Sequence, residues 1–477
     1  HLAIHLADLP SKLIAALKRL ATFANPKYFE AQRLRFSTWN IPRYICCAEL
    51  DGNSLTLPRG LYDECLDLLR IAGAKVILID KRHPYSNIAV SFNGELLPDQ
   101  MDACKTLSKQ VSGVFVAPPG SGKTVIACSL IAELKLPTLI LVHRKQLVEQ
   151  WKARLTEFLL FDKKAIGVLG VEEKKRTGII DIGMLQTISR MKNNSNVINE
   201  YGLIIIDECH HVPAISFESV LKRISALHFI GLTATPYRKD GHQAIIHMQC
   251  GPIVSTMAET QAQIDLIKRV VIRETNLSLP VNAPPQPAIH QIWEWLVQDQ
   301  DRLRLVAMDV IEALKQKRFP LILSDRKDHL DLLYNEICKN TDELNAKGYI
   351  LTSSTGKRER NKILQEIKAM LVTKQSPFLL STGSLIGEGF DQPELSTLFL
   401  AMPLSFKGRL IQYAGRLHRA SSGKSEVIVY DYVDKGLALG ISMFRKRLTT
   451  YRKMGYTITF EEGSRLAKKS DKAQKRP

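Results

Sequence analysis

The stretch GVFVAPPGSGKT (113–124) constrains this chain more than any other. An apolar run of strand character leads directly into a turn with two glycines, and a helical pattern follows at once. In that context Gly120 and Gly122 let main-chain N–H groups curl around a phosphate with no Cβ in the way. Pro119 and Ser121 complete the turn. The ammonium of Lys123 can reach β and γ phosphates, and the hydroxyl of Thr124 can ligate Mg²⁺. Ala117 stands where the strict G-x-x-x-x-G-K-[ST] pattern has its first glycine. The two later glycines make the closest approach, so the turn tolerates it.

A rhythm surrounds this loop. TLILV (138–142), IIDIG (179–183), LIIID (203–207) and FIGLT (229–233) alternate with helical patterns such as RKQLVEQWKARLTEF (144–158), where Trp151 reads as core. A second series follows: PLILS (320–324), GYILT (348–352), PFLLST (377–382), TLFLAM (397–402) and VIVYDY (427–432). Apolar strands separated by helices predict parallel sheets, so the fold class is α/β with two similar domains. LSLPVNAPPQP (277–287) carries four prolines and reads as linker. The predicted layout is an accessory α/β domain at 1–95, a first domain at 96–255, a linker at 256–300, a second domain at 301–450 and a basic tail at 451–477. Within the first 95 residues, NSLTLPRGLYDECLDLLRIAGAKVILID reads as strand, turn, helix, strand, and the segment is basic around Arg33, Arg35, Arg43 and Arg59.

LIIIDECHH (203–211) puts Asp207 and Glu208 at the carboxyl end of a buried strand, the edge where parallel sheets hold ligands. An aspartate there can share a metal with Thr124, and the adjacent glutamate can deprotonate water for attack on a phosphate. Cys209, His210 and His211 cannot all face one ion from regular backbone, so zinc is not expected. GLTATPYRKDG (231–241) supplies the hydroxyls of Thr233 and Thr235 near that acidic edge.

In this order APPGSGKT, DECH, TAT, STGSLIGEGFD (381–391) and QYAGRLHR (412–419) resemble the motif set of superfamily 2 helicases, over about residues 96 to 435. TATPYRKDG resembles the xeroderma pigmentosum B group, with Lys239 where that group has glutamate between arginine and aspartate. The chain is also similar to phage branch-migration helicases and to helicases attached to primase-like domains in prokaryotic conflict systems. The resemblance implies two tandem RecA-like domains with ATP and Mg²⁺ in the cleft between them. It places Gln100 on adenine, Gly389 and Asp391 near the nucleotide, and Gln412, Arg416 and Arg419 in the final motif, with Arg419 as the arginine finger. It places His143, Arg144, Lys145, Gln186, Thr187, Ser324 to Arg326, Thr355 and Thr382 on nucleic acid. Helical spacing puts Arg416 and Arg419 on one face. His210 is expected to hydrogen-bond across the domains, with Gln412 as its partner.

The formal charge of +18 fits a polyanionic partner. The resemblance implies DNA with a single-stranded or forked region, tracked 3′ to 5′, and an attached primase-like or other effector domain. Eight scattered cysteines without a C-x-x-C point to a reducing cytoplasm. No apolar run reaches the roughly 18 residues of a membrane span. The leading reading is an ATP-dependent helicase. A duplex translocase without strand separation, an RNA helicase and a binding module with a decayed ATPase site are the alternatives.

Overall fold

A computed structural model describes the chain apart from residues 8, 83, 170–173, 191–195, 211–219, 223, 236–240, 242, 259–264, 278, 281–282, 285–286, 342–343, 353, 374, 384–391, 405–406, 420, 422, 462–463, 465 and 467–477. The chain divides into two compact units, His1–Ala258 and Glu259–Pro477.

The first unit is built on an eight-stranded sheet. Its order is Lys174–Lys175, Ile166–Leu169, Ile180–Met184, Thr138–Val142, Leu203–Asp207, His228–Thr233, Ser112–Val116, Ile253–Thr256. Every pairing is parallel except that of the two-residue edge strand. Successive residues of the central strands are buried on opposite faces. Ile140 and Ile205 pack with Phe115, Ile126 and Trp151, while Leu139, Leu141, Ile204 and Ile206 pack with Phe229 and Tyr201. Burial on both faces is why these strands read as unbroken apolar runs rather than alternating ones.

Residues 1–95 do not stand apart from this sheet. Their small core of Leu13, Leu17, Leu55, Leu57, Leu61 and Leu69 is completed by Ile245 and Met248. The guanidinium of Arg59 donates to the carbonyls of Ile224 and Ala226 and lies 4.8 Å from the centroid of Phe229. Burial pushes its pKa down to about 10. The expected last strand of this region is absent: residues 74–80 are neither helix nor strand. Ile77, Leu78 and Ile79 have strong β propensity, but a strand needs a neighbour to pair with, and all three side chains are exposed.

The second unit holds a seven-stranded, all-parallel sheet in the order Ala346–Leu351, Ser376–Ser381, Pro320–Leu323, Thr397–Leu400, Glu426–Asp434, Ile267–Thr275, Thr457–Phe460. Two of these strands come from segments read as linker and tail. Ile267–Thr275 mixes apolar and charged residues, and buried positions alternate with more exposed ones as far as Ile272, because only part of the strand is covered near the sheet edge. The stretch 256–300 also forms the helix Ile289–Gln298. The whole is the α/β fold with tandem RecA-like sheets that the sequence predicts.

Candidate active site

In the first unit the expected motifs all follow the carboxyl ends of parallel strands. Val116 pairs in register with Thr233, Leu232 with Asp207, Ile206 with Leu141, and Val142 with Met184. One sheet edge therefore carries 117–124, 143–145, 186–187, 207–210 and 233–235. A parallel sheet with crossover helices makes this convergence inevitable once the strands are placed.

The phosphate loop has the backbone its glycines predict. Gly120 and Gly122 have φ of 82° and 86°, and Gly122 caps the helix Lys123–Leu134. A helix N-terminus with free N–H groups behind such a turn suits a phosphate. Lys123 Nζ donates to the carbonyls of Ala117 (2.9 Å) and Pro118 (3.1 Å), and Thr124 follows in the first helical turn. Pro119 and Ser121 lie in the loop, and Ser121 Oγ donates to Pro118 O at 2.8 Å. Gln100 is buried against it. Its Nε2 donates to Ser121 O at 3.0 Å, and its Oε1 accepts the Leu97 N–H. A Cβ on Gly122 would lie 2.5 Å from that Gln100 nitrogen. Gln100 thus braces the loop in addition to any contact with a base.

Asp207 ends its strand beside Trp151. The indole N–H of Trp151 donates to Asp207 Oδ2 at 2.8 Å. Trp151 is core, as its place in a helical pattern suggests, but one end of it is bound to the acidic motif. The sequence offered one signal: a buried tryptophan has a single donor that needs an acceptor. Burial and the neighbouring Glu208 charge push the Asp207 carboxyl up to about 6. The Trp151 bond, Lys123 and His143 pull the other way. Asp207 and Thr124 offer only oxygens, which fits a hard divalent ion such as Mg²⁺.

Glu208 has a φ of 48°, a left-handed conformation that turns the chain sharply at the strand end. Its carboxylate lies 3.3 Å from His210 Nδ1, which shares a 2.6 Å hydrogen bond with Thr233 Oγ1. That hydroxyl donates to Thr235 O and accepts the Thr235 N–H. The acidic motif and the T-A-T loop are thus joined through His210, a partnership within one sheet where the sequence suggested one across domains. Gln186 Nε2 donates to His143 O at 3.0 Å, tying together the two segments of the first unit expected on nucleic acid. Arg144 and Lys145 open the helix Lys145–Phe158, and Thr187 lies in the short helix Leu185–Ser189.

In the second unit the strand ends carry hydroxyls and cations. Ser324 Oγ pairs with buried His329 Nδ1 at 3.1 Å and accepts the Arg326 N–H. The Arg326 guanidinium is held by Asp328, and Thr355 Oγ1 accepts the Thr352 N–H. The Thr382 N–H reaches Leu351 O at 3.4 Å. Arg409 pairs with Asp325 at 3.2 Å, which docks the helix Lys407–Leu417 on this edge. A Cβ on Gly383 would lie 2.2 Å from the Tyr413 hydroxyl, so the same helix needs glycine there. Gln412 is buried on that helix, and Arg416 is in its last turn. Arg419 is not on a common helical face with Arg416: the helix ends at Leu417, and Arg419 lies in the bend beyond. The Gly415 carbonyl accepts the His418 N–H in a tightened last turn. Lys424 holds the bend by donating to the carbonyls of Arg419 (2.9 Å) and Pro393 (2.6 Å). Burial and the Arg419 charge push Lys424 down to about 8, against Glu394. Gly389, Asp391, His211 and the triplet Arg238 to Asp240 lie outside the described residues.

Two family models match the chain: "Type III restriction enzyme, res subunit" at residues 93–238 and "Helicase conserved C-terminal domain" at residues 304–421. "Probable helicase D10" of Escherichia phage T5 is 27% identical over 421 residues, covering 84% of this chain and 86% of that one. "DNA 3'-5' translocase XPB2" of Sulfurisphaera tokodaii is 24% identical over 375 residues, covering 72% and 82%. The fold is similar to that of Dbp5 of S. cerevisiae bound to RNA and ADP BeF3, with a TM-score of 0.52 at 14% identity over 79% of this chain and 93% of that one.

Proposed function

The chain belongs to the superfamily 2 helicases, which hydrolyse ATP and act on nucleic acid, and on that premise we propose that it tracks 3′ to 5′ along DNA and separates the strands of a fork. The single observation that carries this reading is the joined edge of the first unit. A phosphate loop, an aspartate braced by an indole, and a glutamate linked through His210 to Thr233 converge there. A decayed binding module would have no reason to keep that constellation buried and bonded.

The roles follow from the chemistry of each group. The N–H groups after Gly120 and the Lys123 ammonium bind the triphosphate. Thr124 and Asp207 would hold Mg²⁺, which would supply charge neutralisation at the phosphates. Glu208 takes a proton from the attacking water. Arg419, with Arg416 beside it, stabilises charge that spreads over the γ-phosphoryl oxygens. Supplying such an arginine from another domain makes hydrolysis depend on domain closure. His210, Thr233, Thr235 and Gln412 pass that state to the strand-contacting loops. His143, Arg144, Lys145, Gln186, Thr187, Arg326, Thr355 and Thr382 are assigned to the strand, with contacts mostly to phosphate and therefore tolerant of sequence. DNA and the 3′ to 5′ direction rest on what the Sulfurisphaera relative is named for.

The test pairs two assays. ATP turnover is measured alone and with single-stranded DNA or RNA. Displacement is measured on forks with a 3′ or a 5′ tail. Stimulation by DNA and displacement on the 3′-tailed fork are expected. Stimulation without displacement would leave a duplex translocase, and stimulation by RNA alone would move the substrate. No stimulation by any nucleic acid would end the motor reading.

A further inference from the structure

The excursion formed by residues 25–46 is unlike the rest of the first unit. It opens with the helix Pro26–Arg33 and returns in the strand Tyr44–Cys46. Its two ends are stapled by Asn25, which is buried. The Asn25 N–H donates to Arg43 O at 3.0 Å, and its Nδ2 donates to Pro42 O at 2.7 Å. Between the staples the chain makes few inward contacts. The side chains it turns outward are large and aromatic: Trp39 is 90% exposed, Phe36 68% and Tyr44 54%. Several large rings exposed on one short excursion mark an interaction surface.

Charge identifies the class of partner. The excursion carries Lys27, Arg33, Arg35 and Arg43 against the single acid Glu30. All four cations are exposed, and among the described residues none of them sits in an ion pair. Arg43 lies 5.9 Å from the centroid of Phe29 and 5.6 Å from that of Tyr44, so a cation holds two of the rings in place. Flat faces interleaved with unpaired guanidinium groups suit unpaired bases on a phosphate backbone: rings stack on bases, and cations follow the phosphates. A protein partner would need acids to match four cations, and a blunt duplex offers no base faces to Trp39.

We propose that residues 25–46 form a second, stacking contact for single-stranded nucleic acid, separate from the sheet-edge loops, with Phe36 and Trp39 as the platforms and Arg33, Arg35 and Arg43 on the backbone. This rests on the motor reading above and adds an element that grips bases rather than phosphates. A motor that releases phosphates in each cycle gains from a contact that is independent of the nucleotide site.

The experiment uses the full chain and labelled 20-mers of deoxythymidine and of uridine, with a blunt duplex beside them, read by fluorescence anisotropy. The double variant Phe36→Ala/Trp39→Ala alters only exposed side chains. It is expected to bind single strands at least fivefold more weakly, since each stacked base contributes roughly 1–3 kcal/mol by alanine substitution. Duplex binding and ATP turnover without nucleic acid are expected to stay the same. Arg33→Gln/Arg35→Gln is expected to flatten the logarithmic salt dependence by about 0.7 per lost phosphate contact. The deoxythymidine and uridine arms show which nucleic acid the platform takes. Single-strand binding by the ring variant equal to wild type would overturn the platform while leaving the motor reading standing. An equal loss on the blunt duplex would overturn stacking as its basis. A wild-type chain that binds no single strand would overturn both.

Discussion

The two sheets share one topology, yet they treat their acids in opposite ways. In the second unit Asp431 accepts from Arg447 Nε and Nη2, each at 2.8 Å, and from the Tyr451 hydroxyl at 2.9 Å. Asp434 is held by Arg302 at 3.0 Å and by Thr275 at 2.6 Å. Structure consumes both oxygens of Asp431 and Oδ1 of Asp434. In the first unit Asp207 has only the neutral indole of Trp151, and among the described residues it has no ion-pair partner. A buried carboxylate fully matched by arginine has nothing left for a ligand. One matched by a neutral donor keeps its charge available for a cation. At the corresponding edge of the second unit the cations are themselves paired, Arg326 with Asp328 and Arg409 with Asp325.

Variants can break or sharpen this contrast. The largest effect is expected from Arg419→Ala, which should lower ATP turnover by about 10³- to 10⁵-fold while a fluorescent ATP analogue still binds. Retained turnover would mean that this arginine serves structure, like Arg447. Arg447→Met should leave Asp431 buried without its cation and lower stability by about 3–5 kcal/mol in urea denaturation. Asp207→Asn should not lower stability, because burial already disfavours the charge of Asp207, yet it should abolish Mg²⁺-dependent turnover. Equal stability losses in the two would erase the distinction.

Trp151→Phe puts a smaller ring in a fully buried site and removes one hydrogen bond to a charged group. Such bonds contribute about 1.5–3 kcal/mol, so kcat should fall roughly ten- to a hundredfold, beside a loss of stability from the vacated space and the unpaired carboxylate. A change in stability alone would make Trp151 a core residue and nothing more. A pH dependence is expected from His329. Burial, with Arg302 nearby, pushes it down to about 3 despite Asp328. Its folded value lies below its unfolded one, so the unfolded chain binds the extra proton. The stability cost appears as pH falls through 6.5 and is complete near 3, at about 1.4 kcal/mol per pH unit. His329→Asn should flatten that slope, read from urea midpoints across the range.

The sequence exposes what is periodic and buried on both faces. TLILV and LIIID match their strands residue for residue, because nothing polar interrupts a strand covered on both sides. Strands near the edges of the second sheet, Ile267–Thr275 and Thr457–Phe460, hide in stretches whose charges look like linker and tail. KVILID misleads in the other direction, since propensity cannot supply a neighbouring strand. At the site, residue types and order reveal the phosphate loop and the acidic pair. They do not reveal that Trp151 reaches Asp207, nor that the helix stops before Arg419, because both depend on contacts between distant segments.

Glu208 is proposed to take the proton from the attacking water at this edge. Single-turnover ATP hydrolysis by the wild type and by Glu208→Gln, with single-stranded DNA present, tests it most directly. A loss of about 10²- to 10⁴-fold in the chemical step is expected, with ATP binding and DNA binding retained. Hydrolysis by Glu208→Gln at the wild-type rate would contradict it.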